Sequence, residues 1–354
     1  MSLEKNREEI DRVDEEIAVL LDKRLALAKE IGKEKRASHE SIYDPAREEE
    51  IISKLSGKTS FPKEGLEAIF REVFSVSRKA QQPLKVAFFG PETTFTHAAA
   101  LKQFGSAAEY LAKPSIMEVF TCVEKKEVDF GVVPIENSLA GIVDHTYDMF
   151  LNSELNIVAE ISLDVSQNLL SKYRLQDITK IFAQPMALAQ CREWIAANLP
   201  KAEIADASST AKSAESASLY INSAAIASEL AAQKYGLGIV AKNIQDRGNN
   251  KTRFLAIGKS EPKKSAKNKT SILFATHHRA GALFDALEPL KKFKVNMTKI
   301  ESRPTKLKTW EYVFFVDFEG FVDDENVKKA LHEMRENTGM LKILGSYPQK
   351  AVYE

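Results

Sequence analysis

Between residues 3 and 36 apolar side chains recur at intervals of three and four, at Ile10, Val13, Ile17, Leu20, Leu21, Leu27, Ala28 and Ile31. This stretch has no proline and no glycine before Gly32. The spacing predicts one long amphipathic helix. Asp44-Pro45 reads as an N-cap followed by proline in the first turn, opening a second helix to about Leu55, and a third runs from Lys63 to about Gln82. At Gln82-Pro83 the period shortens. LKVAFFGP is a short apolar strand ending in a turn, and further strands are predicted at Val128–Pro134, Asn156–Val165, Ile178–Ala183, Gly236–Ala241 and Thr252–Gly258, with helices between them. That alternation predicts helices on both faces of a largely parallel sheet.

Ser260–Lys269 is polar and lysine-rich, with almost nothing to bury, and reads as a linker. After it the order is strand (Thr270–Thr276), helix (Ala280–Phe293), strand (Val295–Ser302), strand (Tyr312–Glu319), helix (Asp324–Thr338) and strand (Leu341–Tyr347). This is the βαββαβ order of a ferredoxin-like sandwich. The chain of 354 residues is long for one core. It is expected to divide into an all-α domain (1–83), an α/β domain (84–260), a linker (261–269) and a βαββαβ domain (270–354).

The 50 basic and 50 acidic residues cancel, which removes the broad positive field that non-specific nucleic-acid or anionic-membrane binding needs. The charged start MSLEKNREEIDRVDEE has no signal-peptide core, and no later run approaches a membrane span. The expectation is a cytoplasmic protein with no nucleic-acid or membrane partner. Cys122 and Cys191 stand far apart, without CxxC or Cys/His clustering. They read as core residues, with no disulfide, metal or cofactor expected.

Charge breaks the pattern of the first helix. Positions 7, 10, 14, 17, 21, 24, 28, 31 and 35 share one face, and Arg7, Arg24 and Lys35 fall on it. A cation in phase with a buried stripe must be paired or must bind an anion. The third helix repeats the anomaly, with Ser77 and Gln81 in phase after Leu66, Phe70 and Val73, and the second brings Asp44, Arg47 and Glu48. At ~1.5 Å per residue Arg24 and Lys35 lie ~16 Å apart, within joint reach, whereas Arg7 and Arg24 are ~25 Å apart. Arg7 either lies in solvent or, if the helix pairs antiparallel with a second copy, enters the site of that copy, which predicts a dimer.

The set Arg7, Arg24, Lys35, Asp44, Arg47, Glu48, Ser77 and Gln81 resembles the active site of the AroQ-type chorismate mutases. The resemblance implies that Arg24, Arg47 and the other copy's Arg7 hold the two carboxylates of chorismate. It further implies that Lys35 and Gln81 donate to the ether oxygen and that Glu48 holds the hydroxyl. A Claisen rearrangement needs only a compact conformer and donors aimed at the growing charge.

In the α/β region GPETTFTHAAA (Gly90–Ala100), PIENSLAG (Pro134–Gly141), SSTAKSA (Ser208–Ala214) and NKTRF (Asn250–Phe254) stand where turns follow strands, the usual ligand position of α/β proteins. Thr94, Thr96, Ser209 and Thr210 also suit helix caps. Together PIENS and TRF resemble prephenate dehydratases, which implies two lobes in a periplasmic-binding-protein-like arrangement around a cleft. The lobes would be Leu84–Glu160 with Lys242–Lys259, and Ile161–Ala241. Thr252 would then assist departure of the ring hydroxyl, Arg253 would bind prephenate carboxylates, and Thr94, Glu136, Asn137, Ser138, Thr210 and Phe254 would complete the substrate site. Two departures from that family's pattern stand out: Thr93 replaces a glycine of its Gly-Pro-x-Gly-Thr turn, and Gln184-Pro185-Met186 replaces His-Pro-Gln.

In the last domain Gly281, Ala282 and Leu283 (GAL), and Glu301, Ser302, Arg303 and Pro304 (ESRP) followed by Trp310, resemble the phenylalanine-binding motifs of ACT domains. This implies L-phenylalanine as an allosteric effector bound between two copies. The order of domains resembles the bifunctional chorismate mutase/prephenate dehydratases of phenylalanine biosynthesis. Two other readings compete with it: a chorismate mutase whose dehydratase-like region has decayed into a sensor, and a non-catalytic amino-acid-binding protein.

Overall fold

The structure, a computed structural model, describes residues 3–38, 40–304 and 312–349; Trp310 lies outside them. The chain opens with three helices, α1 (Leu3–Ala37), α2 (Pro45–Ser56) and α3 (Lys63–Gln81). Asp44 caps α2, its carboxylate accepting from the Arg47 amide, and Pro45 follows in the first turn. α1 packs on α3, yet of its side only Ala28 and Gly32 are buried. Ile10, Leu20 and Leu27, expected on a covered stripe, are more than half exposed in the single chain, and Ile17 is 48% exposed.

The α/β region forms two sheets. Along the chain come β1 (Lys85–Phe89), α4 (Phe95–Phe104), β2 (Glu109–Lys113), α5 (Ile116–Glu124), β3 (Phe130–Asn137), β4 (Gly141–Ile142), α6 (Asp144–Asn152) and β5 (Asn156–Asp164). The chain then crosses to β6 (Asn168–Ser171), β7 (Lys180–Ala183), α7 (Pro185–Ala189), α8 (Arg192–Asn198), β8 (Glu203–Asp206), α9 (Thr210–Leu219), β9 (Ser223–Ala227), α10 (Glu229–Tyr235) and β10 (Gly238–Ala241). It returns as β11 (Lys251–Gly258), which inserts between β3 and β5. The first sheet therefore runs β2-β1-β3-β11-β5 and the second β10-β6-β9-β7-β8.

Both sheets are mixed where the pattern predicts largely parallel ones. β1 pairs in parallel with β2 and β3, but the returning β11 is antiparallel to both neighbours. In the second sheet β6 is antiparallel to β9 and β10. Strands β2, β4, β6, β8 and β9 were not predicted. NLLS is too short, and SAAIA too short and too rich in small residues, to show a period. Cys122 and Cys191 are buried in separate cores, and burial raises both thiol pKa values, that of Cys191 to about 12.

The last unit contains β12 (Asn268–Ala275), α11 (Ala282–Lys292), β13 (Met297–Pro304), β14 (Tyr312–Glu319), α12 (Glu325–Glu336) and β15 (Met340–Pro348), in a sheet ordered β13-β14-β12-β15. β12 begins inside the stretch read as linker: Lys269 is 8 % exposed, and its ammonium meets both Glu160 carboxylate oxygens at 2.8 Å. One face of this sheet carries α11 and α12, and the other lies against the first α/β sheet through Leu273, Val313, Phe315, Leu344 and Tyr347. Gly345 permits that approach, since a Cβ there would collide with the Ile157 backbone.

Candidate active sites

Within the helical domain α1 and α3 bring Arg24 and Ser77 together, the guanidinium donating to the hydroxyl at 2.6 Å and lying 5.3 Å from the Phe74 ring. Burial lowers the Arg24 pKa, and the nearby Glu48 carboxylate partly restores it. Lys35 donates to the Ser41 and Ile42 carbonyls at 3.0 and 3.3 Å, which uses two of its three ammonium protons. The Gln81 side-chain oxygen is buried and accepts no hydrogen bond. Gly32 makes room for that amide: a Cβ at Gly32 would stand 2.6 Å from Gln81 Cγ. Arg24, Ser77 and Glu48 thus lie together, while Lys35 turns to the Ser41 and Ile42 carbonyls and Gln81 packs on Gly32. Asp44 is spent on its cap, and Arg47 faces Glu50 on its own helix. Arg7 stands exposed toward the far end of α1.

The second site follows from the β3–β11 register. Thr252 pairs with Asn137, and Arg253 pairs with Glu136 on the opposite face. The Asn137 amide donates to Thr252 Oγ1 at 2.8 Å and to Asn250 Oδ1 at 2.7 Å, while its oxygen accepts from the Leu139 and Ala140 amides. Asn250 continues to Gln190 Oε1 at 3.1 Å, and Gln167 donates to the same oxygen at 3.2 Å, so a chain of amides runs from the Thr252 hydroxyl to the second lobe. Gln167, Gln190 and Asn250 were not singled out from sequence, because a lone amide at a strand or helix end carries no pattern. Ser138 donates to the Asn249 carbonyl and accepts from the Lys251 amide. Thr94 caps α4, and Thr210 opens α9 behind the cap Ser209.

Three expected cleft residues, Arg253, Glu136 and Phe254, lie elsewhere. Strand alternation turns Arg253 to the face that meets the βαββαβ domain. There it contacts Glu160 at 2.9 Å, Asp317 at 2.7 Å, Glu136 at 3.4 Å and the Tyr347 hydroxyl at 3.3 Å. Lys299 of β13 also reaches Glu136. Burial opposes the Arg253 charge, but the carboxylates led by Asp317 overcome it and raise its pKa. Glu136 shares this seam. Phe254, expected against substrate, is 1 % exposed and packs in the core with Phe88, Phe104 and Phe130.

The departure at Thr93 has a visible consequence. Thr93 adopts φ +67°, where glycine is favoured, and its buried hydroxyl has no partner. Its amide donates to His97 Nδ1 at 3.1 Å and its carbonyl accepts from Ser228 of the second lobe at 2.8 Å. Gln184 caps α7, accepting from the Ala187 amide, and Met186 is exposed.

A cavity of about 270 Å³ opens beside GAL, lined by His277, Arg279, Gly281, Ala282, Leu283 and Tyr312 among others. ESRP does not line it within the chain. β13 is an edge strand whose register puts Ser302 opposite Phe314 and Pro304 opposite Tyr312, on the cavity's side of the sheet, while Glu301 and Arg303 fall on the other. Arg303 there contacts Asp144 and Asp148 of α6.

Family models for chorismate mutase type II, prephenate dehydratase and the ACT domain match residues 6–82, 86–262 and 270–336 in turn. A bifunctional chorismate mutase/prephenate dehydratase of Aquifex aeolicus is 46% identical over 359 residues, covering 99% of each chain. The chain belongs to that bifunctional family. A relative of the same name from Neisseria gonorrhoeae is 40% identical, covering 97% of this chain and 96% of its own. A solved prephenate dehydratase of Arthrobacter aurescens in complex with L-Phe superposes with a TM-score of 0.69 at 32% identity, over 75% of this chain and 90% of its own. The protein is an enzyme carrying chorismate mutase and prephenate dehydratase domains, and the match favours two activities over a decayed sensor. The ACT match points to regulation by an amino acid. Among the described residues no helix is long and apolar enough to cross a membrane.

Proposed function

We propose that the protein converts chorismate to prephenate in the helical domain and prephenate to phenylpyruvate in the α/β domain, and that phenylalanine bound at the ACT domain restrains the second step. The observation that carries this reading is that two constellations, Arg24 with Ser77 and Thr252 with Asn137, are built from separate elements of separate domains. The domains are taken as 1–83 and 84–260, with the third beginning at Asn268.

In the first site Arg24 and Arg47 take the substrate carboxylates, Arg47 leaving Glu50 to do so. Lys35 still has an ammonium proton for the ether oxygen, and the Gln81 NH2 group is assigned as the second donor, both acting on charge that grows only in the transition state. Glu48 takes the hydroxyl. Arg7 of a second copy completes the site in a homodimer, and the uncovered apolar side of α1 supports such a partner.

In the second site the Asn137 amide occupies a lone pair of Thr252 Oγ1, which turns the hydroxyl proton outward to a leaving ring hydroxyl. Loss of carbon dioxide pushes electrons through the diene as water departs, so no cofactor is called for. Thr94, Ser138 and Thr210 sit at turns and helix starts suited to carboxylates. Arg253 is assigned a different role from the one its motif implies: its four partners make it a strut between the ACT sheet and the strand that carries Thr252. Phenylalanine would enter the cavity beside GAL, with the edge strand β13 presenting Ser302 and Pro304 to a second copy. The protein is taken to act in the cytoplasm.

Purified Arg24→Ala and Thr252→Ala variants test the two-site reading. Arg24→Ala is expected to abolish the mutase and spare the dehydratase, and Thr252→Ala to do the reverse. Equal loss of both activities in folded variants would refute it.

A further inference from the structure

Arg78 follows Ser77 on α3 and is 4 % exposed, yet neither site described above uses it. Its guanidinium joins three parts of the molecule. One nitrogen meets the Glu48 carboxylate of α2. Another donates to the Phe104 carbonyl at 2.7 Å, at the C-terminal end of α4 in the dehydratase domain, where the helix dipole favours a cation. The Tyr43 ring lies 5.6 Å from the guanidinium carbon. Tyr43 stands immediately before the α2 cap, and its ring packs against Phe104 and Phe130 at 5.1 and 5.0 Å in the core of the first lobe.

Glu48 therefore sits between two cations. Arg24 feels its charge, but Arg78 holds the contact. Without Arg78 the Glu48 carboxylate still acts on the Arg24 guanidinium, which chorismate needs for its own carboxylate.

We propose that Arg78 is a positioning residue of the mutase: it draws Glu48 away from Arg24, keeping that guanidinium open to substrate, and it is held in place by the carbonyl end of α4. The dehydratase lobe thereby forms one wall of the mutase site. The proposal rests on the substrate roles given above to Arg24 and Glu48.

The test uses the full-length enzyme. Arg78→Met should raise the mutase KM about 10-fold, the scale of one charge-assisted hydrogen bond, while the dehydratase KM stays as it was. Removing the competing charge as well, in Arg78→Met with Glu48→Gln, should return the KM part of the way, although Glu48→Gln alone weakens binding. A merely structural Arg78 would instead show as lost stability in urea unfolding and a changed dehydratase KM alongside the mutase KM. Should Arg78→Met fail to fold, Arg78→Lys carries the same test, because an ammonium donates from one atom and lacks the two separate nitrogens that reach Glu48 and Phe104, so the KM should rise several-fold and fall again with Glu48→Gln. An unchanged mutase KM, or a rise that Glu48→Gln leaves in place, overturns the proposal. Arg24→Ala separates the premise from the inference: if it retains mutase activity the site assignment itself fails, whereas if it is inactive and Arg78→Met is normal only the role of Arg78 falls.

Discussion

Thr252 and Arg253 are consecutive, yet their side chains bind in different parts of the molecule: the threonine oxygen lies 2.8 Å from Asn137 of its own sheet and the guanidinium 2.7 Å from Asp317 of the ACT domain. A residue that touches the ACT domain is thus one peptide bond from the proposed proton donor. Arg253, Lys269 and Lys299 face Glu136, Glu160 and Asp317 in a charge-balanced seam.

Asp317→Asn is expected to lower unfolding free energy by about 3–5 kcal/mol, the usual cost of leaving a buried cation short of its partner. The response of the dehydratase to phenylalanine should weaken with it while the mutase stays unchanged. Urea unfolding and dehydratase assays with and without phenylalanine check this, and a variant of normal stability and normal response would exclude the strut.

Gly32→Ala should separate stability from activity. Alanine favours a helix interior over glycine by about 1 kcal/mol, which offsets part of the crowding. The new methyl stands 2.6 Å from Gln81 Cγ and 2.8 Å from its Cβ, so it displaces the amide and presses α1 from α3: the mutase kcat should fall by at least ~10-fold, more than the drop in melting temperature accounts for. A normal kcat would mean that the Gln81 amide takes no part.

The mutase site was legible in the sequence because charged residues on an apolar helical stripe announce themselves, and the positions of Arg24, Lys35, Ser77 and Gln81 followed from a period of 3.6. The dehydratase site was legible only through its PIENS and TRF motifs, and there the motif misled. In a strand, adjacent residues point to opposite faces, so Arg253 and Phe254 could not both stand beside Thr252. Which face met another domain was not in the pattern. The amides Gln167, Gln190 and Asn250 come from three separate segments and meet only in the fold. Arg78 reads as one more helix cation until α4 is seen against it.

Thr93→Gly is expected to stabilise the protein by about 1 kcal/mol. A left-handed conformation costs a non-glycine residue ~1–2 kcal/mol, and the buried hydroxyl adds to that, while the entropy of glycine returns ~0.5–1 kcal/mol. Chemical denaturation measures the difference. A destabilised variant would mean that the Thr93 side chain makes up for its backbone.

The same turn should respond to acid. Burial lowers the His97 pKa, and the Thr93 amide donates to Nδ1, so the folded state requires neutral imidazole. Below the unfolded value of ~6.5 the unfolded chain gains a proton that the folded one resists, so stability is full above that pH and declines as pH falls through the histidine range. His97→Asn, whose side-chain oxygen can accept the same amide, should flatten the decline in pH-dependent unfolding. An unchanged profile would place its cause elsewhere.

The central claim is that one chain performs both steps under one effector. Chorismate and then prephenate are supplied to the purified enzyme at neutral pH without acid treatment, and phenylpyruvate is followed with and without phenylalanine. The account predicts phenylpyruvate from both substrates and a reduced rate with phenylalanine; prephenate accumulating unchanged from chorismate would contradict it and leave a mutase alone.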